Sequence, residues 1–185
     1  MDNIPEDQVL QKLMLLGAMY VEENGMLDSI HENIDEDTSD EDLKEVLVQA
    51  FCSLDMNMED VDEADVLELL QDAWGIEGRM DLSLTLESLL AGRHQNMFDD
   101  LVEINKSKPL TLEEYRNVSE FSALYEGMDN ATYQSIVKRS LSAKTVWAAD
   151  GLIGWDWARY VHLLRLGFLA KIIKQDEAWT LLKRL

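Results

Sequence analysis

The stretch Gly154-Trp155-Asp156-Trp157-Ala158-Arg159-Tyr160 sets one aspartate between two tryptophans, with an arginine three residues after it. A carboxylate and a guanidinium at this spacing, walled by indole rings, could form a small-ligand pocket. One charge would orient a polar group, the other would hold its counter-charge, and the aromatic faces would exclude water. His94, just after Gly92 and Arg93 near an expected helix bend, is a further residue that could line such a pocket. The same spacing also suits a structural clamp. Residues at i and i+3 of a helix share a face, so Asp156 and Arg159 can pair, and Asp156 near a helix start meets the positive end of the dipole. Trp155 and Trp157, about 200° apart around such a helix, would then anchor it in two neighbours. The clamp is the favoured reading. A ligand site made of Asp156, Arg159, Trp155 and His94 is the alternative.

The other reactive side chains offer less. His31 lies in an acidic loop, and His162 stands on a different part of the helix circumference from Asp156. The sequence has no pair of histidines at i, i+4 with a glutamate, no CxxC, no glycine-rich phosphate loop and no GxSxG elbow. No catalytic residue, metal ligand or cofactor is therefore assigned. Cys52 is the single cysteine, which rules out an internal disulfide and favours a reducing compartment. With Asp55 and Glu59 nearby it reads as a small buried apolar residue rather than a nucleophile. The acidic loop from Asp28 to Asp42 fails the calcium-loop spacing. Counted from Asp35, Asp40 stands where glycine is needed and Val46 where glutamate is needed.

The elements that must position these residues are all helical. Val9, Leu10, Leu13, Met14, Gly17 and Val21 fall on one face, with Pro5 at the start and Gly25 at the stop. Ser39 predicts a cap for a helix carrying Leu43, Val46, Leu47, Ala50, Phe51 and Leu54. A third helix carries Val66, Leu67, Leu70, Ala73 and Trp74 and stops at Gly75. Asp81 is expected to cap a fourth with Leu82, Leu86, Leu89 and Leu90, and Gly92 either bends that helix or separates it from the next. After the linker Asn105–Leu110, Thr111 and Glu114 make a capping-box pair ahead of a helix running to Tyr125. Asp129 starts another, residues 148–171 read as one long buried helix, and a short helix begins near Asp176. The expected fold is an all-α, single-domain bundle of seven to nine helices. Residues 1–69 form acidic helices and a loop packed on a helical domain of residues 70–185.

Charge is the most informative bulk property. The 185 residues have a net charge of −21. Residues 1–105 hold 28 Asp and Glu against 4 Lys and Arg, while the remainder hold 9 against 12. Such an acidic half repels phosphate backbones and attracts basic protein surfaces. Asp35, Glu36, Asp37, Asp40, Glu41, Asp60, Asp62 and Glu63 are the candidate contact residues. The acidic start is wrong for a signal or transit peptide, and no apolar run approaches a membrane span, so a soluble cytoplasmic protein is expected.

Three groups of residues resemble a known family. Trp74, Gly75 and Ile76 precede a leucine-rich helix, Trp155, Asp156 and Arg159 follow, and Glu177, Ala178 and Trp179 come last. In this order they resemble the bacterial domain-of-unknown-function family 1266, over about residues 70–185. The chain departs from the family pattern in having Lys171 where a glycine is usual and Lys174 where a Ser or Thr cap is usual. The resemblance implies a helical bacterial cytosolic domain with no established catalytic residues. The functional expectation is a non-enzymatic module of immunity or chaperone type, engaging a basic protein through its acidic face. The alternative is a small-ligand or enzymatic domain centred on Asp156 and Arg159.

Overall fold

Helices begin where a side chain can take up backbone N–H groups that the first turn leaves without partners. The computed structural model describes residues 4–18, 20, 38–55, 62–146 and 152–185. In it Asp7 caps α1 (Gln8–Met14), Ser39 caps α2 (Asp40–Cys52) and Asp62 caps α3 (Glu63–Trp74). Helix α3 stops at Gly75, whose φ of 64° is left-handed, and the next N–H, of the fully buried Ile76, closes onto the Leu70 carbonyl at 3.1 Å. Helices α4 (Arg79–Leu90) and α5 (Arg93–Asn105) come next. Helix α6 (Leu112–Arg116) opens on the Thr111–Glu114 capping box, with both of its reciprocal bonds formed. Then come α7 (Asn130–Val146), α8 (Ile153–Leu169) and α9 (Gln175–Leu182). Among the described residues these nine helices and two 3-10 turns, Leu15–Gly17 and Ser122–Tyr125, are the only regular elements, with no strand. The all-α bundle of seven to nine helices is the architecture found. No helix among the described residues is long and apolar enough to cross a membrane.

The chain forms two compact units, Met1–Ala91 with Trp157–Leu185, and Gly92–Asp156. In the first, residues 160–167 of α8 are buried without a break, as expected of a helix with hydrophobic residues all round. Around it pack Leu10 and Met14 of α1, Val66 and Leu70 of α3, and Leu82 and Leu86 of α4. The described part of residues 1–69 belongs to this unit. The second unit has its own core of Leu101, Leu112, Tyr115, Tyr125, Tyr133 and Val137. Its three tyrosine rings meet at centroid distances of 5.4–5.8 Å. Two of the hydroxyls have partners: Tyr115 donates to Asp100 at 2.8 Å, and Asn105 donates to the Tyr133 oxygen at 3.1 Å. Burial pushes the Tyr115, Tyr125 and Tyr133 hydroxyls above the ordinary phenol range.

Several local expectations need correction. Val9 is 63% exposed: the buried face of α1 is set by Leu10 and Met14, at i and i+4, and Val9 lies about 100° away from Leu10 around the axis. Asp81 lies inside the first turn of α4 and reaches back to the Glu77 N–H at 3.2 Å, while Gly78 holds the cap position. The helix expected from Thr111 to Tyr125 breaks after Arg116. There the Ser119 hydroxyl accepts from the Phe121 N–H at 3.1 Å and donates to Asp100 at 2.6 Å, an alternative to the helical ladder. Leu112, Tyr115 and Tyr125 of that segment are buried, but Val118 and Leu124 face solvent. Gly92 separates two helices rather than bending one. Val21, Gly25, His31, Asp35, Glu36, Asp37 and Asp60 lie outside the described residues, as do residues 148–151, expected to open the long helix.

Candidate functional site

Helix α5 opens on Gly92, in the left-handed region at φ 74°, with no side chain to satisfy the N–H groups of its first turn. Asp156, in the first turn of α8, supplies what is missing. Its carboxylate accepts from the His94 N–H at 3.0 and 3.2 Å, through its two oxygens, and from the Gln95 N–H at 3.2 Å. The His94 ring Nδ1 completes the set. The side chain is fully buried, so it places a negative charge at the positive end of α5 away from water. Gln95 returns the favour from the other direction. Its carbonyl accepts from the Leu152 N–H, at the start of α8, at 2.5 Å. Its amide donates to Asp99 at 2.6 Å, and Lys144 of α7 holds the same carboxylate at 2.6 Å. Two helix N-termini thus cap one another with side chains.

The only cysteine is placed elsewhere: Cys52 is buried in the first unit, where its thiol donates to the Gln11 carbonyl at 3.8 Å. Burial pushes that thiol up, against the lowering effect of Arg165, so it is a poor nucleophile, as its composition context led one to expect. No group of three or more His, Cys, Asp or Glu among the described residues is placed to hold a metal ion.

Arg159 takes different partners from Asp156. Its Nε donates to the Tyr20 hydroxyl at 3.0 Å, and its guanidinium carbon lies 5.5 Å from the centroid of the Trp74 ring. The Tyr20 ring in turn stacks on His162 at 4.4 Å and 13°. The i, i+3 pair anticipated between Asp156 and Arg159 is therefore replaced by two separate anchors. Of the two tryptophans, Trp157 is half-buried and Trp155 is 37% exposed. Asp156 and Tyr160, at i and i+4, hold the inward face instead.

Two polar residues on α8 were not singled out by sequence. Arg165 is 1% exposed and donates to the Ala50 carbonyl, while its Nε has no hydrogen-bond partner among the described residues. Burial pulls its pKa down to about 10, with Asp55 opposing. His162 is buried, its Nδ1 also lacks a partner among the described residues, and burial, assisted by Arg165, pushes its pKa down to about 4. The sequence signal was present: Arg165 sits between Leu163, Leu164 and Leu166, a run with no polar face to turn to water. Of the proposed contact residues, Asp40, Glu41 and Asp62 are exposed, and Glu63 is half-buried and paired with Lys171 at 2.5 Å.

The family model described as "Protein of unknown function (DUF1266)" matches residues 69–185, and the chain belongs to that family. No curated protein and no solved structure matches it. The contacts give the residues of the resemblance a physical meaning. Trp74 and Arg159 meet through a cation–π contact, and Asp156 caps α5.

Proposed function

We propose that this member of the DUF1266 family is a protein-binding module whose acidic helices α2 and α3 dock on a basic protein surface. One observation carries the reading. Asp40, Glu41, Asp42 and Glu45 of α2, with Asp65, Glu68 and Asp72 of α3, are exposed, and none has an ion-pair partner among the described residues. Three carboxylates elsewhere are matched internally: Glu87 by Arg184, Asp99 by Lys144 and Glu177 by Arg79. Uncompensated charge on adjoining segments raises the rate of encounter with an oppositely charged surface, an effect that salt removes. The small-ligand or enzymatic reading has less support, because the Asp156 oxygens are taken up by two backbone N–H groups and an imidazole.

The test is affinity capture from the source cell at low and high salt, using the wild-type chain and a variant with Glu41→Gln, Glu45→Gln, Glu68→Gln and Asp72→Asn. The expected result is a basic protein held by wild type at low salt and lost both at high salt and with the variant. Recovery of the same protein by the variant, or of no basic protein by wild type, refutes the reading.

A further inference from the structure

An apolar groove runs between α1 and α2, with a volume of about 440 Å³. That is within the range of roughly 300–1,000 Å³ in which small-molecule sites occur. Leu15, Leu43, Leu47, Val48 and Phe51 give it an aliphatic lining with one aromatic ring. Leu15 is 50% exposed and the four from α2 are half-buried, so this apolar surface is open rather than closed into the core.

Charge decides what fits it. Residues 1–105 contain only four cations, Lys12, Lys44, Arg79 and Arg93, and two of the four line this groove. Lys12 and Lys44 are exposed, and neither has an ion-pair partner among the described residues, although the surrounding sequence is crowded with carboxylates. By contrast Arg79 is paired with Glu177, and Lys171 with Glu63. Asp40 is the one acid on the groove, so its lining still carries a net positive charge within a strongly negative half.

We propose that the α1–α2 groove binds an aliphatic carboxylate, its chain laid along Leu43, Leu47 and Phe51 and its head group held by Lys12 and Lys44. Burial of the chain supplies the affinity. The two ammonium groups select an anionic head over a neutral one, in a region where the overall field would otherwise repel it. On α2 the groove residues Lys44, Leu47, Val48 and Phe51 follow helical spacing, whereas the carboxylates Glu41 and Glu45 do not line it. Asp40 is the one residue shared with the acidic docking surface proposed above, and because the variants that test each proposal alter different residues, either can fail without the other.

The experiment titrates decanoate, decanol and acetate, below the micellar range, into the full-length protein and follows heat and methyl chemical shifts. Decanoate is expected to bind saturably, shifting the Leu43, Leu47 and Val48 methyls, with acetate giving no saturable signal. The Lys12→Gln/Lys44→Gln double variant, altered only at exposed positions, should weaken decanoate by about tenfold and leave decanol unchanged. Leu47→Asp should abolish both. The proposal is overturned if decanoate and decanol bind wild type alike, if the double variant binds decanoate as wild type does, or if the shifts fall outside α1 and α2. It is also overturned if no saturable binding occurs, or if the groove proves to be covered by a second copy of the chain, seen as dimerisation that Leu47→Asp removes.

Discussion

Replacing Asp156 gives the sharpest test of whether the tryptophan-flanked carboxylate holds the fold together. The side chain is fully buried and accepts from the His94 N–H, the Gln95 N–H and the His94 ring. Removing a side-chain cap costs about 1 kcal/mol, and each buried donor left without a partner adds roughly 1–3 kcal/mol. Gly92 cannot substitute, and counting the His94 and Gln95 N–H groups at the lower end of that range puts Asp156→Ala at about 3 kcal/mol. Asp156→Asn keeps the shape and one acceptor oxygen, but it loses the charge at the helix terminus and turns an NH2 group toward donors. Its cost should be about half as large, roughly 1.5–2 kcal/mol. Urea unfolding followed by far-UV circular dichroism measures the totals. Amide exchange at His94 and Gln95 shows where the loss occurs, and protection there should collapse before that of Leu101 or Val102. A loss below about 1 kcal/mol for Asp156→Ala, with exchange at the start of α5 unchanged, would refute the capping argument.

Two further outcomes follow from the first unit. His162 is held neutral, with its pKa down at about 4, so between that pH and its ordinary 6.5 the unfolded chain binds a proton that the folded chain does not. Stability should therefore rise with pH through this window and, for this group, level off above it, a span worth roughly 3 kcal/mol. His162→Phe, which keeps a ring to stack on Tyr20, should lose that part of the slope; identical urea midpoints against pH for the two proteins would contradict it. Lys171, at φ 53°, ends α8 in the left-handed region, and its amine pairs with Glu63. Lys171→Gly should be neutral to within about 0.5 kcal/mol, relief of backbone strain offsetting the lost surface pair and the added chain entropy. Lys171→Val should cost about 1–2 kcal/mol, read as a fall in melting temperature.

Much of the fold could be read residue by residue because its causes are local. Ser39, Thr111 with Glu114, and Asp129 each mark a helix start through bonds formed within three residues, and Gly75 marks a stop through its own backbone angle. The misread elements are those where a distant group competes with the local pattern. Asp100, brought to Ser119 by tertiary packing, helps to end a helix that periodicity would continue to Tyr125. Periodicity likewise could not foresee that α1 tightens into a 3-10 turn after Met14.

The candidate site divides in the same way. Sequence alone determined that the molecule is helical, that negative charge is concentrated in residues 1–105, and that Asp156 and Arg159 are the polar residues to ask about. Composition and short-range spacing fix these properties whatever the chain's path. Only the tertiary structure decided that Asp156 caps a helix beginning 64 residues earlier, at Gly92, that Arg159 lies on Trp74, and that Arg165 is buried and donates to the Ala50 carbonyl. Each of those contacts joins residues far apart in sequence. A buried polar group takes whichever partner packing brings within hydrogen-bond reach, and a pattern read along the chain contains no distance between such partners.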